Sequence, residues 1–183
     1  MIRRRFGTFR GLVRLALSYP QLALGRSGSR HPNPAAVQRL VFVCQGNICR
    51  SAFADVSARK AGMRSASFGL STTTGRPAHH PAIVAAHGLG YDLSAHRAVD
   101  LADYSPQEGD LLLAMEVRQL HRLAADPRLA AMPRQLLGYW TRPMIPHLHD
   151  PYGLDDQYMA LCLARIEGAI DALINAFPGA RLS

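Results

Sequence analysis

The stretch Leu40-Val-Phe-Val-Cys-Gln-Gly-Asn-Ile-Cys-Arg-Ser51 decides how the chain is read. Leu40 to Val43 is a short β-rich apolar run, the octet Cys44 to Ser51 follows at once, and a helical stretch continues to about Gly62. A loop between a buried strand and a helix can turn successive backbone N–H groups inward. The helix N-terminus adds its positive end, so the octet suits an anion. Gly46 and Asn47 are residue types that accept the left-handed backbone such a nest needs. Arg50 offers two parallel N–H donors to phosphoryl oxygens, a fork that lysine lacks. Cys44 lies in the same cradle, which favours its thiolate, and Ser51 is placed to donate a hydrogen bond to it. In so arginine-rich a chain a cysteine six places before an arginine is a weak signal alone; the flanking strand and helix supply the specificity. The chemistry implied is attack by sulfur on phosphorus, then hydrolysis of a cysteinyl-phosphate.

Outward from the loop, strands and helices alternate. Ala66 to Leu70 suits a second strand, and Pro81 to Gly88 a helix with Ile83 and Val84 inward. Asp110 to Met115 is a buried-strand run followed by a helix over Val117 to Ala125, and Gln135 to Tyr139 is the fourth strand. In the last helix Tyr158, Leu161, Cys162, Ile166, Ala169, Ile170, Leu173, Ile174 and Phe177 recur at spacings of three and four. Asp155 and Asp156 begin it and Pro178-Gly179 ends it. Such alternation implies parallel βαβ units in an α/β fold, the sheet covered on both faces.

The 183 residues suit one domain with a tail, and 48% hydrophobic composition gives enough apolar material for a core. Three cysteines do not make a disulfide scaffold and fit a reducing compartment. The net charge of +8 is confined to the start of the chain: residues 1–39 hold eight arginines and no acid, and the rest sums to zero. A neutral body argues against nucleic acid as a partner. Residues 1–38 read as a flexible basic extension, with Ser27 to Pro34 as linker, ahead of a domain over 39–183. Three readings of the extension stand: a mobile arm or misplaced start, weak contact with an anionic membrane, or a secretory signal broken by Arg14 and Pro20.

Sulfur attack on a phosphoester needs an acid to protonate the leaving oxygen. Asp150 in His149-Asp-Pro-Tyr-Gly153 is the best candidate, since a residue before proline sits in an extended or turning loop. It would serve as acid first and base second. The competing reading is a cap on a turn or on the last helix. Tyr152 offers a stacking surface for an aromatic substrate ring.

With Cys44-to-Ser51 and Asp150-Pro-Tyr152 in place, the sequence resembles the low-molecular-weight protein-tyrosine phosphatases over about Arg39 to Phe177. Leu93-Ser-Ala-His-Arg97 and Asp110 to Glu116 add to the match. The Gly69-to-Gly75 loop and Gly138-Tyr-Trp140 resemble the bacterial branch that opposes tyrosine autokinases in exopolysaccharide and capsule export. The resemblance implies a phosphatase I-like four-stranded parallel sheet of order 2-1-3-4 flanked by helices, with the phosphate loop after strand 1. It implies Cys44 as nucleophile, Arg50 as phosphate clamp and Asp150 as general acid. Gln45, Gly46, Asn47, Ile48, Cys49, Ser51 and Tyr152 then form the substrate site. It further implies a cytoplasmic, metal-independent enzyme without cofactor, monomeric or weakly dimeric, with a tyrosine-phosphorylated protein such as an autokinase as partner. Two departures are Ala52, where the family has proline, and His149, where proline is common before the acid.

Two readings of Cys49 stay open, a disulfide partner shielding Cys44 and a small buried loop residue. Cys162 falls on the apolar stripe and reads as packing, and His96 as a hydrogen-bonded structural histidine. The pairs His79-His80 and His147-x-His149 lack the further ligands a metal site needs. The rival functions are an arsenate reductase, which would need more accessible cysteines, and a non-catalytic phosphotyrosine-binding module, which would predict loss of Cys44 or Asp150. Ile48 disfavours a phosphoarginine phosphatase, where threonine is usual.

Overall fold

Four strands, β1 (Arg39–Cys44), β2 (Ser65–Gly69), β3 (Asp110–Ala114) and β4 (Arg134–Leu136), pair in parallel in the order β2-β1-β3-β4. This computed structural model describes residues 6–182, so Arg3, Arg4 and Arg5 of the basic extension lie outside the described residues. Among the described residues five α-helices accompany the sheet: α1 (Phe9–Ala23), α2 (Arg50–Lys60), α3 (His80–Gly88), α4 (Val117–Ala125) and α5 (Asp156–Ala176). The expected sheet order is the one observed.

Strand alternation divides the core. Leu40, Phe42 and Cys44 point to one face with Phe53 of α2, Ala82 of α3 and Ile166 of α5, while Val41 and Val43 point to the other with Leu120 and Leu123 of α4. A sheet covered on both faces explains why β1 and β3 read as unbroken apolar runs. Cys44 closes the central strand at its carboxyl end, where the strand order reverses. Open α/β sheets place their ligands at such a switch point.

Three expectations are corrected. The fourth strand stops at Leu136, and Leu137–Trp140 is a 3-10 turn. Gly138 explains the turn, because a Cβ there would lie 1.9 Å from the carbonyl oxygen of Ile145. Helix α3 buries Ala82 and Ala86, one helical turn apart, which swings Val84 outward to 59% exposure, while Ile83 is partly buried as expected. In the last helix the expected stripe is joined by buried Met159 and Leu163, and Asp155 caps its start by accepting from the Tyr158 N–H at 2.8 Å.

The third correction concerns the extension. Expected to be flexible from end to end, it forms α1, capped by the Thr8 hydroxyl accepting from the Gly11 N–H at 2.9 Å. Gly11, Leu15 and Ser18 are buried at helical spacing, and Pro20 forgoes one backbone bond without ending the helix. The following residues cover the sheet edge. Arg30 and Arg134 exchange two backbone hydrogen bonds of 2.8 Å as an antiparallel bridge, and the Arg134 Nε donates to the Gly28 carbonyl. An otherwise open β4 edge is thereby paired.

Candidate active site

The loop between β1 and α2 closes around the sulfur of Cys44. The Asn47 N–H donates to Cys44 Sγ at 3.2 Å, and the Ser51 hydroxyl lies 3.0 Å from the same atom. Asn47 takes the left-handed backbone expected of it, with φ of 50°. Its side chain fixes the loop: Nδ2 donates to Ser51 Oγ and Ser67 Oγ, and Oδ1 accepts from the Val99 N–H at 2.8 Å. His96 donates from Nε2 to the Asn47 carbonyl at 2.8 Å, and its burial lowers its pKa, keeping the ring neutral. That is the structural role expected of His96. Neighbouring backbone finishes the frame, with Leu70 N–H on the Cys44 carbonyl, Ser71 N–H on Gln45 and His79 N–H on Ile48. Gly69 is required beside the loop, since a Cβ there would sit 3.0 Å from the Gly46 carbonyl carbon.

Arg50 starts α2 and is almost wholly buried. Its Nη1 donates to Glu116 Oε1 at 2.7 Å and to the Leu148 carbonyl at 2.8 Å, and its Nη2 lies 2.8 Å from Asp150 Oδ2. Burial opposes its charge, but Asp150 and Glu116 outweigh that cost and hold the guanidinium protonated, its pKa raised. Its Nε is a buried donor without a partner among the described residues, beside a loop that suits an anion. Glu116 is the hub of this network. Burial would raise its pKa, but Arg50 and Arg118 bring it down to about 2. His147 packs 3.9 Å from Glu116, and burial lowers its pKa to about 4.

Cys44, Gln45, Gly46, Ile48, Cys49, Arg50, Asp150 and Tyr152 line one cavity of about 230 Å³. Asn47 and Ser51 are buried behind the loop and hold its shape. Tyr152 is 53% exposed at the mouth and packs on His79, ring centroids 4.7 Å apart. Cys44, Cys49 and Cys162 are free thiols; burial pushes Cys49 up and Cys162 up to about 12. Cys162 lies in the α5 stripe, as expected of a packing residue.

Sequence reasoning missed three contributors. Glu116 lies in a stretch that adds to the resemblance, but its role gave no signal because its partner Arg50 is 66 residues away. Arg76 adds a cation to the cavity wall from the loop after β2. The third is α1, which braces the acid segment: Thr8 Oγ1 lies 3.0 Å from His149 Nε2, and Arg14 lies 3.9 Å from Glu116. Gly11 permits this approach, as a Cβ there would meet the His149 ring at 2.8 Å. The signal available was Thr8 ahead of Gly11, Leu15 and Ser18 at helical spacing.

A doubly covered parallel sheet, a strand–loop–helix anion nest and a cysteine sulfur beside an arginine and a carboxylate together form a site suited to a phosphoryl group. The chain belongs to the low molecular weight phosphotyrosine protein phosphatase family, whose model matches residues 39–181. It is 34% identical over 140 residues to the probable low molecular weight protein-tyrosine-phosphatase EpsP of Ralstonia solanacearum, spanning 75% of this chain and 94% of that protein. The solved structure of the Erwinia amylovora tyrosine phosphatase AmsI covers 80% of this chain and 97% of its own, with TM-score 0.68 and 26% identity. The YwlE arginine phosphatase of Geobacillus stearothermophilus shares the fold at TM-score 0.65 and 23% identity, covering 75% of this chain and 91% of its own. The fold therefore houses more than one phosphoryl substrate, and the site must choose between them.

Proposed function

We propose that the protein hydrolyses protein phosphotyrosine through a cysteinyl-phosphate on Cys44. The observation that carries this is the shared cavity: Cys44 Sγ, the Arg50 guanidinium and the Asp150 carboxyl open on one space at the start of α2. A phosphoryl group in the loop takes backbone N–H donors and the Arg50 fork, including the unpartnered Nε. This dianion competes with Asp150 for Arg50 and frees the carboxyl to face the leaving oxygen.

In the first step Cys44 Sγ bonds to phosphorus, the P–O ester bond breaks, and Asp150 gives its proton to the tyrosyl oxygen. In the second step Asp150 takes a proton from water, the water oxygen bonds to phosphorus, and the S–P bond breaks to return thiolate and inorganic phosphate. Ser51 and the Asn47 N–H steady the sulfur's charge as it leaves. Ile48 and the Tyr152–His79 pair give the phenyl ring apolar and aromatic walls. No step calls on a metal or cofactor.

The relatives EpsP and AmsI support phosphotyrosine as substrate, and the segments Gly69 to Gly75 and Gly138 to Trp140 that resemble the export-associated branch support a bacterial tyrosine autokinase as target. In keeping with the family resemblance, the proposal takes the enzyme as cytoplasmic and as a monomer or weak dimer. Among the described residues no helix is long and apolar enough to cross a membrane. The test is phosphate release from phosphotyrosine, phosphoserine and phosphoarginine peptides by wild type and Cys44→Ser, with chelator present. Selective, Cys44-dependent release from phosphotyrosine is expected. Preference for phosphoarginine, or release that survives Cys44→Ser, contradicts the proposal.

A further inference from the structure

Helix α1 is apolar on two sides. Gly11, Leu15 and Ser18 face the body of the protein and are buried. On the opposite side Phe9, Val13 and Leu17 follow one another at intervals of four and are 69%, 39% and 57% exposed. Ala16, Pro20 and Ala23 are exposed on the same arc, and Leu24 just beyond the helix is 65% exposed. A helix that only had to brace the acid segment would turn polar residues to water here. Nothing among the described residues covers this arc.

Cations border it. Arg10 and Arg14 run along one edge and Arg26 follows the helix, all exposed, while Arg3, Arg4 and Arg5 precede it in sequence. Residues 1–39 contain no acid and hold eight arginines, of which Arg30 lies at the β4 edge and Arg39 pairs with Asp110. Among the described residues Arg10 and Arg26 have no ion-pair partner. Along the other edge a cleft of about 480 Å³ combines the apolar walls of Leu15, Ile145 and Leu161 with Arg142 and Arg165. An apolar groove on a soluble partner would account for the arc but not for cations on both borders with no acid among the first 39 residues. An anionic lipid surface calls for both, a shallow apolar face and flanking arginines at headgroup level.

We infer that α1 is an interfacial helix that seats the phosphatase on an anionic membrane. Phe9, Val13 and Leu17 enter the boundary between headgroups and acyl chains, and Arg10 and Arg26 meet lipid phosphates. The inference rests on this surface alone and is independent of the substrate assignment. It also fits the position of α1 outside the family match.

The test is co-sedimentation of the full chain with vesicles of equal parts phosphatidylglycerol and phosphatidylcholine, against vesicles of phosphatidylcholine alone. Binding to the anionic vesicles should be at least about tenfold tighter and should weaken with salt. The triple variant Phe9→Glu/Val13→Glu/Leu17→Glu should lose at least about tenfold in binding while keeping turnover of a small aryl phosphate, because the three side chains face solvent. Should that variant lose turnover as well, Arg10→Glu/Arg26→Glu, which changes only exposed cations, carries the test and should weaken binding about tenfold. Equal binding to both vesicle types, or no binding, overturns the inference. So does self-association without lipid that the triple variant abolishes, which would make the arc an interface between copies of this chain.

Discussion

The phosphate loop and helix α1 converge on the same segment, Leu148 to Asp150, and hold it in different ways. The loop reaches it through Arg50, with donor contacts of 2.8 Å to the Leu148 carbonyl and to Asp150. The loop is in turn fixed by close polar contacts, with Asn47 alone engaged by Cys44, Ser51, Ser67, His96 and Val99. Helix α1 reaches it through one side-chain contact, Thr8 to His149, a loose 3.9 Å ion pair from Arg14 to Glu116, and the packing of Gly7 and Gly11 on the His149 ring. A buried polar network is rigid because leaving any member unpaired is expensive, whereas a few half-buried contacts come apart at small cost. In the proposed mechanism the loop sets the chemistry and α1 adjusts the ground on which the acid stands.

The largest expected effect sharpens the loop side. Asp150→Asn should cost roughly 10²- to 10³-fold in kcat on aryl phosphates with poor leaving groups and far less with good ones. A uniform loss across leaving groups would reduce Asp150 to a holder of Arg50. Next comes Glu116→Gln, which leaves Arg50 buried with one carboxylate fewer. Turnover should fall roughly 10- to 100-fold through misplacement of the guanidinium, with added phosphate raising the variant's Tm more than that of wild type. An unchanged kcat/KM would show that Asp150 and Leu148 suffice to aim Arg50.

Acid should affect the network before it affects α1. Glu116 sits at about 2, below its ordinary 4.5, so its stabilisation is complete above pH 4.5 and is lost as pH falls towards 2. His147 is held to about 4 from 6.5, so below pH 6.5 the unfolded chain takes a proton that the folded one refuses. Both slopes have the same sign, and Tm should fall steadily from pH 6.5 downwards. A flat Tm between pH 6.5 and 4 would contradict the buried neutral state of His147. The smallest effect belongs to α1: Thr8→Ala removes a helix cap and the contact to His149, costing about 1 kcal/mol and a few-fold in turnover. An effect as large as that of Glu116→Gln would erase the distinction between the two regions.

The same contrast explains what could be read from the sequence. The loop was legible because its work is local: strand, nest and helix start are consecutive, and the residue types at Cys44, Asn47 and Arg50 each answer to one physical demand, whereas Gly46 does not take the left-handed backbone expected of it. The sheet order was legible through resemblance alone, and the covering of both faces through the apolar runs that a doubly covered sheet requires. Glu116 and the end of β4 were not, since one is defined by Arg50 and the other by the carbonyl of Ile145 pressing on Gly138, both remote in sequence. Val84 was misplaced by phase, Ala82 and Ala86 being too small to mark the buried face of α3. In α1, Arg14 and Pro20 broke the apolar run by eye, and its partners His149 and Glu116 lie more than 100 residues on.

The central claim is that Cys44 carries the phosphoryl group. The most direct measurement is mass spectrometry of the enzyme quenched in acid during turnover of a phosphotyrosine peptide, with Asp150→Asn run in parallel. The account predicts a phosphoryl adduct on the peptide containing Cys44 and none on Cys49 or Cys162. Turnover at the wild-type rate with no adduct on Cys44 in either protein, or with the adduct on another residue, would contradict it.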